Sequence, residues 1–144
     1  MTEYKSQSQS ETENIAKKII SQLSGGEVLA LVGNLGAGKT VFVKGLAKAL
    51  GIEENVTSPT FVLMKIYQTN DKKIKRLVHV DCYRLDKAED LEEIGLSDYL
   101  NDPENIVVIE WADRITNLPK NTININIEYI NSAERKISVV YGNQ

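Results

Sequence analysis

Apolar residues recur along the chain in three rhythms, and each rhythm predicts a different element. Ile15, Ala16, Ile19, Ile20 and Leu23 share one face of a helix, with Ser10 and Glu13 at capping-box spacing ahead of them and Gly25-Gly26 as the stop. Val43, Leu46, Ala47 and Leu50 repeat that spacing within Val41 to Leu50, and Gly51 ends the second helix. Glu27 to Val32 and Ile106 to Ile109 are unbroken apolar runs too short for helices, which predicts strands buried on both faces. Phe61 to Tyr67 and Ile74 to Asp81 are rich in β-formers and flank Thr69-Asn70-Asp71, so they predict an antiparallel hairpin. Strict alternation at Ile123, Ile125, Ile127 and Tyr129, then at Ile137, Val139 and Tyr141 beyond the Asn131-Ser132 turn, predicts a C-terminal hairpin with one wet face. Between these, Ser58-Pro59 forces a loop, Asp86 caps a helix running to about Glu93 before Gly95, and Ser97 to Leu100 forms a helical turn. Met1 to Ser10 is polar, contains no apolar core segment and is assigned no element.

This order is mixed α/β, with parallel strands in the middle and antiparallel ribbons beside them. At 144 residues and 16.1 kDa it predicts a single domain over 1–144. The apolar runs fall well short of the roughly 20 residues that span a bilayer, and the polar N-terminus lacks the form of a secretory or transit signal, so a cytoplasmic protein without membrane contact is expected. One cysteine, Cys82, and one histidine, His79, provide neither an internal disulfide nor a structural zinc cluster. Seventeen basic against 20 acidic side chains leave a net charge of −3, the wrong sign for gripping a polyanion. Autonomous nucleic-acid binding, DNA included, is therefore disfavoured.

The chemistry lies between the first buried strand and the second helix. Gly33, Asn34, Leu35, Gly36, Ala37, Gly38, Lys39 and Thr40 match the phosphate-binding loop pattern in the strand-loop-helix context that gives it meaning. Glycines let successive N–H groups curl around phosphate oxygens, the helix start adds partial positive charge, and Val41 continues the contact into that helix. Lys39 is expected on the β- and γ-phosphates and the Thr40 hydroxyl on Mg2+. The fold class is then a three-layer P-loop NTPase fold with central parallel strands flanked by antiparallel ones.

Such a site needs an acid at the end of a neighbouring buried strand. Glu110 closes Ile106 to Ile109 and is assigned to the metal, because its strand is uninterrupted and apolar. Asp81 closes the hairpin strand, and is assigned to orienting water or to supporting the metal site, with a helix-capping carboxylate as the alternative. His79, on the same strand face, reads as a packing residue, and Trp111 as a half-buried neighbour of the site. Arg84, three residues beyond Asp81, is the internal candidate for a transition-state arginine. For the base, the segment near Ser10 and the C-terminal hairpin near Arg135 are expected, outside the central sheet.

Gly33 to Thr40, Ser58-Pro59-Thr60-Phe61, His79-Val80-Asp81-Cys82-Tyr83-Arg84-Leu85 and Ile109-Glu110-Trp111-Ala112-Asp113, taken together and in order, resemble the bacterial P-loop ATPase family of the tRNA threonylcarbamoyladenosine biosynthesis machinery (TsaE/YjeE-like). The resemblance runs through almost the whole chain. It implies slow Mg2+-dependent ATP hydrolysis, activated by a threonylcarbamoyl-transferase complex of two homologous subunits, with tRNA reached only through that complex. It matches Thr40 and Glu110 to metal positions, Asp81 to an aspartate needed for activity, and Ser58, Pro59 and Thr60 to a switch-like loop. Cys82 departs from the pattern, where the family places a bulkier apolar residue. A GTPase is disfavoured because the chain has neither an Asn-Lys-x-Asp nor an Asp-x-x-Gly string. The alternatives are a small-molecule P-loop kinase, which lacks its arginine-bearing lid here, and a non-catalytic nucleotide-dependent binding module.

Overall fold

The computed structural model describes residues 1–34, 36–57, 64–82, 95–112 and 118–142. Its strands are β1 (Thr2–Ser6), β2 (Val28–Val32), β3 (Met64–Gln68), β4 (Arg76–Asp81), β5 (Asn105–Glu110), β6 (Ile123–Tyr129) and β7 (Arg135–Val140). Two helices, α1 (Gln9–Ile20) and α2 (Lys39–Ala49), and a 3-10 turn at Leu96–Asp98 accompany them. The strands form one sheet in the order β1-β7-β6-β2-β5-β4-β3. The neighbours β6-β2, β2-β5 and β5-β4 are parallel, while β3-β4, β6-β7 and β1-β7 are antiparallel. This is the α/β arrangement expected from the apolar rhythms, with β2 at its centre.

The two continuous apolar runs take the places that burial on both faces requires. Leu29 and Leu31 of β2, with Ile106 and Val108 of β5, pack into the layer that holds α1 and α2. Val28 and Ala30, with Val107 and Ile109, fill the opposite layer against Leu96, Ala112, Tyr99, Leu100 and Leu118. β6 alternates as predicted, its odd-numbered isoleucines buried and Asn124 and Asn126 exposed. In the β3-β4 turn Asp71 accepts N–H bonds from Ile74 and Lys73, each 2.9 Å, which hold its carboxyl below the ordinary carboxylate range. α1 and α2 approach closely because α2 carries Gly45 at their crossing: a Cβ there would stand 2.7 Å from Glu13 Cα and 2.8 Å from Ala16 Cβ.

Three expectations near the ends of elements need correction. α1 is capped by Ser8, whose Oγ accepts Glu11 N–H at 3.0 Å, while the Glu11 carboxylate returns to Gln7 N–H at 2.6 Å. Ser10 therefore stands inside the first helical turn and forms no capping box with Glu13. The polar N-terminus is not free of structure: β1 pairs with β7, burying Ser6 against Thr12 through a 2.6 Å hydroxyl contact. Tyr141, expected as the last alternating strand residue, lies past β7 and is half exposed. The helix expected from Asp86 to about Glu93 lies outside the described residues.

Candidate functional site

The carboxyl ends of β2, β5 and β4 lie side by side, and the glycine-rich loop leaves the first of them. That edge is where open α/β sheets bind ligands. Gly33 follows β2 so closely against β6 that an added Cβ would meet the Ile127 carbonyl oxygen at 2.6 Å. Gly38 serves as the N-cap of α2 at φ +105°, with no side-chain cap, and no acid stands in the first helical turn. The first N–H groups of α2 and its partial positive charge are thus left to a ligand, which suits an anion.

Lys39 opens α2 and is only 6 % exposed. Its ammonium donates to the Gly33 carbonyl and lies 3.5 Å from the Trp111 ring centroid. The lysine is thereby held between the base of the loop and the residue that follows Glu110. Trp111 itself has a left-handed backbone at φ +58°, uncommon for a bulky residue. Thr40, next along, is partly buried.

Parallel register sets Asp81 directly beside Glu110, and Glu110 beside Leu31 of β2. Both acids are buried, at 6 % and 3 % exposure, on the sheet face that carries α2. The reading of β4 as merely a hairpin strand is incomplete: it is also a buried parallel neighbour of β5, so both acids close strands of the same kind. His79 Nε2 lies 2.5 Å from Glu110 Oε2, and His79 is fully buried. It is therefore the partner of the acid at the strand end as well as a packing residue. Cys82 is also fully buried, and burial, with a contribution from the Asp81 carboxylate, pushes its thiol up to about 12. It is a protonated, inert filler at neutral pH.

Arg135, the first residue of β7, reaches back across the loop. Nε donates to the Ala37 carbonyl at 2.9 Å and Nη2 to the Gly36 carbonyl at 3.1 Å, while the guanidinium stacks 4.6 Å from the Tyr129 ring centroid. The C-terminal hairpin is thus tied to the loop. Ser10 is exposed on α1, Asn34 and Gly36 lie within the loop, and Val41 lies in the first turn of α2. Leu35, Ser58, Pro59, Thr60 and Arg84 lie outside the described residues. Among the described residues no group of three or more His, Cys, Asp or Glu side chains forms a metal nest. Magnesium does not require one, because it keeps waters and is held by one or two protein oxygens together with phosphate. A buried acid at the strand end and a hydroxyl at the start of α2 are the donor types that such a site uses.

The family model described as "Threonylcarbamoyl adenosine biosynthesis protein TsaE" matches residues 6–137. The chain belongs to the TsaE family. Proteins named tRNA threonylcarbamoyladenosine biosynthesis protein TsaE are similar to it: that of Treponema pallidum is 42 % identical over 118 residues, 81 % of this chain and 84 % of the relative. The Bacillus subtilis protein is 40 % identical over 129 residues, 89 % of this chain and 78 % of the relative, and that of Aquifex aeolicus 38 % over 135 residues, 92 % and 91 % respectively. The crystal structure of Bacillus subtilis YdiB superposes with a TM-score of 0.78 at 31 % identity, covering 99 % of this chain and 86 % of that one. The four motifs that carried the resemblance thus lie in a TsaE-family chain with a P-loop NTPase fold. Sequence reading missed the pairing of His79 with Glu110. The available signal was the shared parity of His79 and Asp81 on one strand, but the register that sets Asp81 beside Glu110 is a property of two strands.

Proposed function

We propose that this chain binds ATP with Mg2+ at residues 33–40 and hydrolyses it slowly, as the nucleotide-driven subunit of a cytoplasmic complex that places threonylcarbamoyl on a tRNA adenosine. The observation that carries this reading is the convergence of a buried lysine and two buried carboxylates at one sheet edge: Lys39 on the loop, Glu110 and Asp81 in register beside it. Loop and helix N–H groups bind the phosphates, and the Lys39 ammonium exchanges its Gly33 carbonyl contact for phosphate oxygens. Thr40 and Glu110 hold the metal, whose chemistry when bound is neutralisation of charge on the β- and γ-phosphates. Asp81 orients the attacking water, and Arg84 supplies positive charge to the transferring group. Ser58, Pro59 and Thr60 respond to the γ-phosphate as a switch, and Ser10 and Arg135 border the base. The names of the relatives support the tRNA modification role, and the net charge of −3 favours tRNA capture by a partner, a complex of two homologous subunits in this reading, over capture by this chain.

The test measures phosphate release, with and without that complex, alongside ATP affinity and circular dichroism. Lys39→Ala is expected to retain the fold and lose ATP affinity, because the ammonium acts as a point charge on phosphate and alanine suits the first position of α2. Glu110→Gln is expected to lose Mg2+ dependence with a smaller effect on metal-free binding. A Lys39→Ala variant with normal affinity and turnover defeats the assignment of the loop, and fast turnover that the complex leaves unchanged defeats the role as an activated subunit.

A further inference from the structure

One buried polar side chain at this edge has no part in the reaction as proposed. His79 is fully buried on β4, and the register sets it beside Val108, two residues short of the Asp81–Glu110 pair. From there Nε2 reaches Glu110 Oε2 at 2.5 Å. The other ring nitrogen, Nδ1, is buried with no hydrogen-bond partner among the described residues. A buried polar atom without a partner is a standing cost that an aliphatic residue would avoid. Packing alone therefore does not account for an imidazole here; among the described residues its one polar contact is with the acid at the strand end.

We infer that His79 is a positioning residue for divalent-metal binding: its Nε2–H holds Oε2 of Glu110 and fixes the carboxylate's rotation, so that Oε1 is the oxygen presented to a cation bound with nucleotide. The inference rests on the assignment of Glu110 to the metal. A glutamate has three side-chain torsions, and an unrestrained carboxylate pays for its own ordering whenever it takes up a ligand. Ligating carboxylates are accordingly hydrogen-bonded from behind, and loss of that partner typically lowers metal affinity about 10–100-fold. Parallel pairing of β4 and β5 supplies the diagonal offset that brings a side chain at position 79 to one at position 110.

Mn2+ binding to the full chain with ADP, followed by electron paramagnetic resonance, tests this without recourse to turnover. His79→Leu is expected to weaken Mn2+ about 10–100-fold and to leave ADP affinity in EDTA unchanged. His79→Gln, long enough to return an amide N–H to Oε2, is expected to recover most of the loss, and the shorter His79→Asn is not. Normal Mn2+ affinity in His79→Leu, or equal losses in the Gln and Asn variants, overturns the inference. Should the leucine variant fail to fold, the Gln and Asn pair decides. Glu110→Gln separates the two levels: if it binds Mn2+ normally, the metal assignment falls and the inference with it, whereas if it loses Mn2+ while His79→Leu does not, only the inference falls. The chain has one histidine, so its ring 15N signals come from a single residue and only Nδ1 and Nε2 have to be told apart, by their couplings to the ring protons. An Nε2–H signal protected from exchange is expected, shifting when Mg2+ joins ADP in the native chain and not in Glu110→Gln; its failure to shift in the native chain also overturns the inference.

Discussion

Gly33→Ala probes how tightly the loop is seated. The added Cβ would lie 2.6 Å from the Ile127 carbonyl oxygen and 3.3 Å from Ala37 Cβ. A carbon and a carbonyl oxygen settle at about 3.3 Å or more, so something must move by about 0.7 Å. Ile127 is paired with Ile137 of β7 in the sheet, which leaves the loop as the part that yields. Overpacking of this kind costs about 1–3 kcal/mol, and sites of this class tolerate misplacement of only about 0.5 Å. The variant is expected to melt about 4–12 °C lower, at about 4 °C per kcal/mol for a chain of this size, and to bind ATP at least about tenfold more weakly. Gly36→Ala is the control. Its φ is +81° with nothing within 4 Å of the added Cβ, so it carries backbone strain of about 1–2 kcal/mol without a clash. Differential scanning calorimetry paired with isothermal titration of ATP separates the two. A Gly33→Ala protein melting within about 1 °C of the native chain, with native affinity for ATP, would refute the claim that β6 seats the loop.

Two further outcomes follow from contacts away from the phosphates. Gly45→Ala sets helix propensity against sterics: alanine gains about 1 kcal/mol in a helix interior, but backbone and Cβ atoms of α1 at 2.7 and 2.8 Å leave it no room, so a net loss of about 1–2 kcal/mol is expected in denaturant unfolding, and a more stable variant would show that the helices part freely. Cys82, whose thiol stays protonated to about 12 in the fold, should resist alkylation at pH 8; because the unfolded chain releases that proton near its ordinary value and the folded chain keeps it, stability should fall as pH rises from about 9 towards 12, and Cys82→Ala should lose that slope.

The elements that sequence made legible are those whose own residues decide them. β2 and β5 are apolar at nearly every position, so a strand buried on both faces is the one solution open to them, and the glycine-rich loop between β2 and α2 carries its chemistry in a contiguous string. β1 failed that test because Thr2 to Ser6 carries no apolar alternation; it is a strand because the edge of β7 offers it main-chain partners, with Tyr4 lending partial burial. The cap of α1 slipped by two residues for a related reason. Ser8, Ser10, Glu11 and Glu13 offer two boxes of equal spacing, and the short β1-α1 connection, with Ser6 bonding the Ser8 carbonyl at 2.8 Å, selects the earlier one.

What stayed illegible at the site is the set of contacts joining residues far apart in the chain. Arg135 and the loop carbonyls it holds are 98 and 99 positions apart, and His79 and Glu110 are 31 apart. Neither pairing has a local signature, since both depend on the order of strands in the sheet. Yet strand order is what makes them possible: β6 beside β2 returns β7 and Arg135 to the loop that leaves β2, and β4 beside β5 brings His79 and Asp81 to Glu110. The same parallel core that buries the apolar runs therefore gathers the polar groups at its carboxyl edge. In the proposed reaction the motif residues contact phosphate and metal, while Arg135 bonds the loop carbonyls and His79 the acid that take part in it.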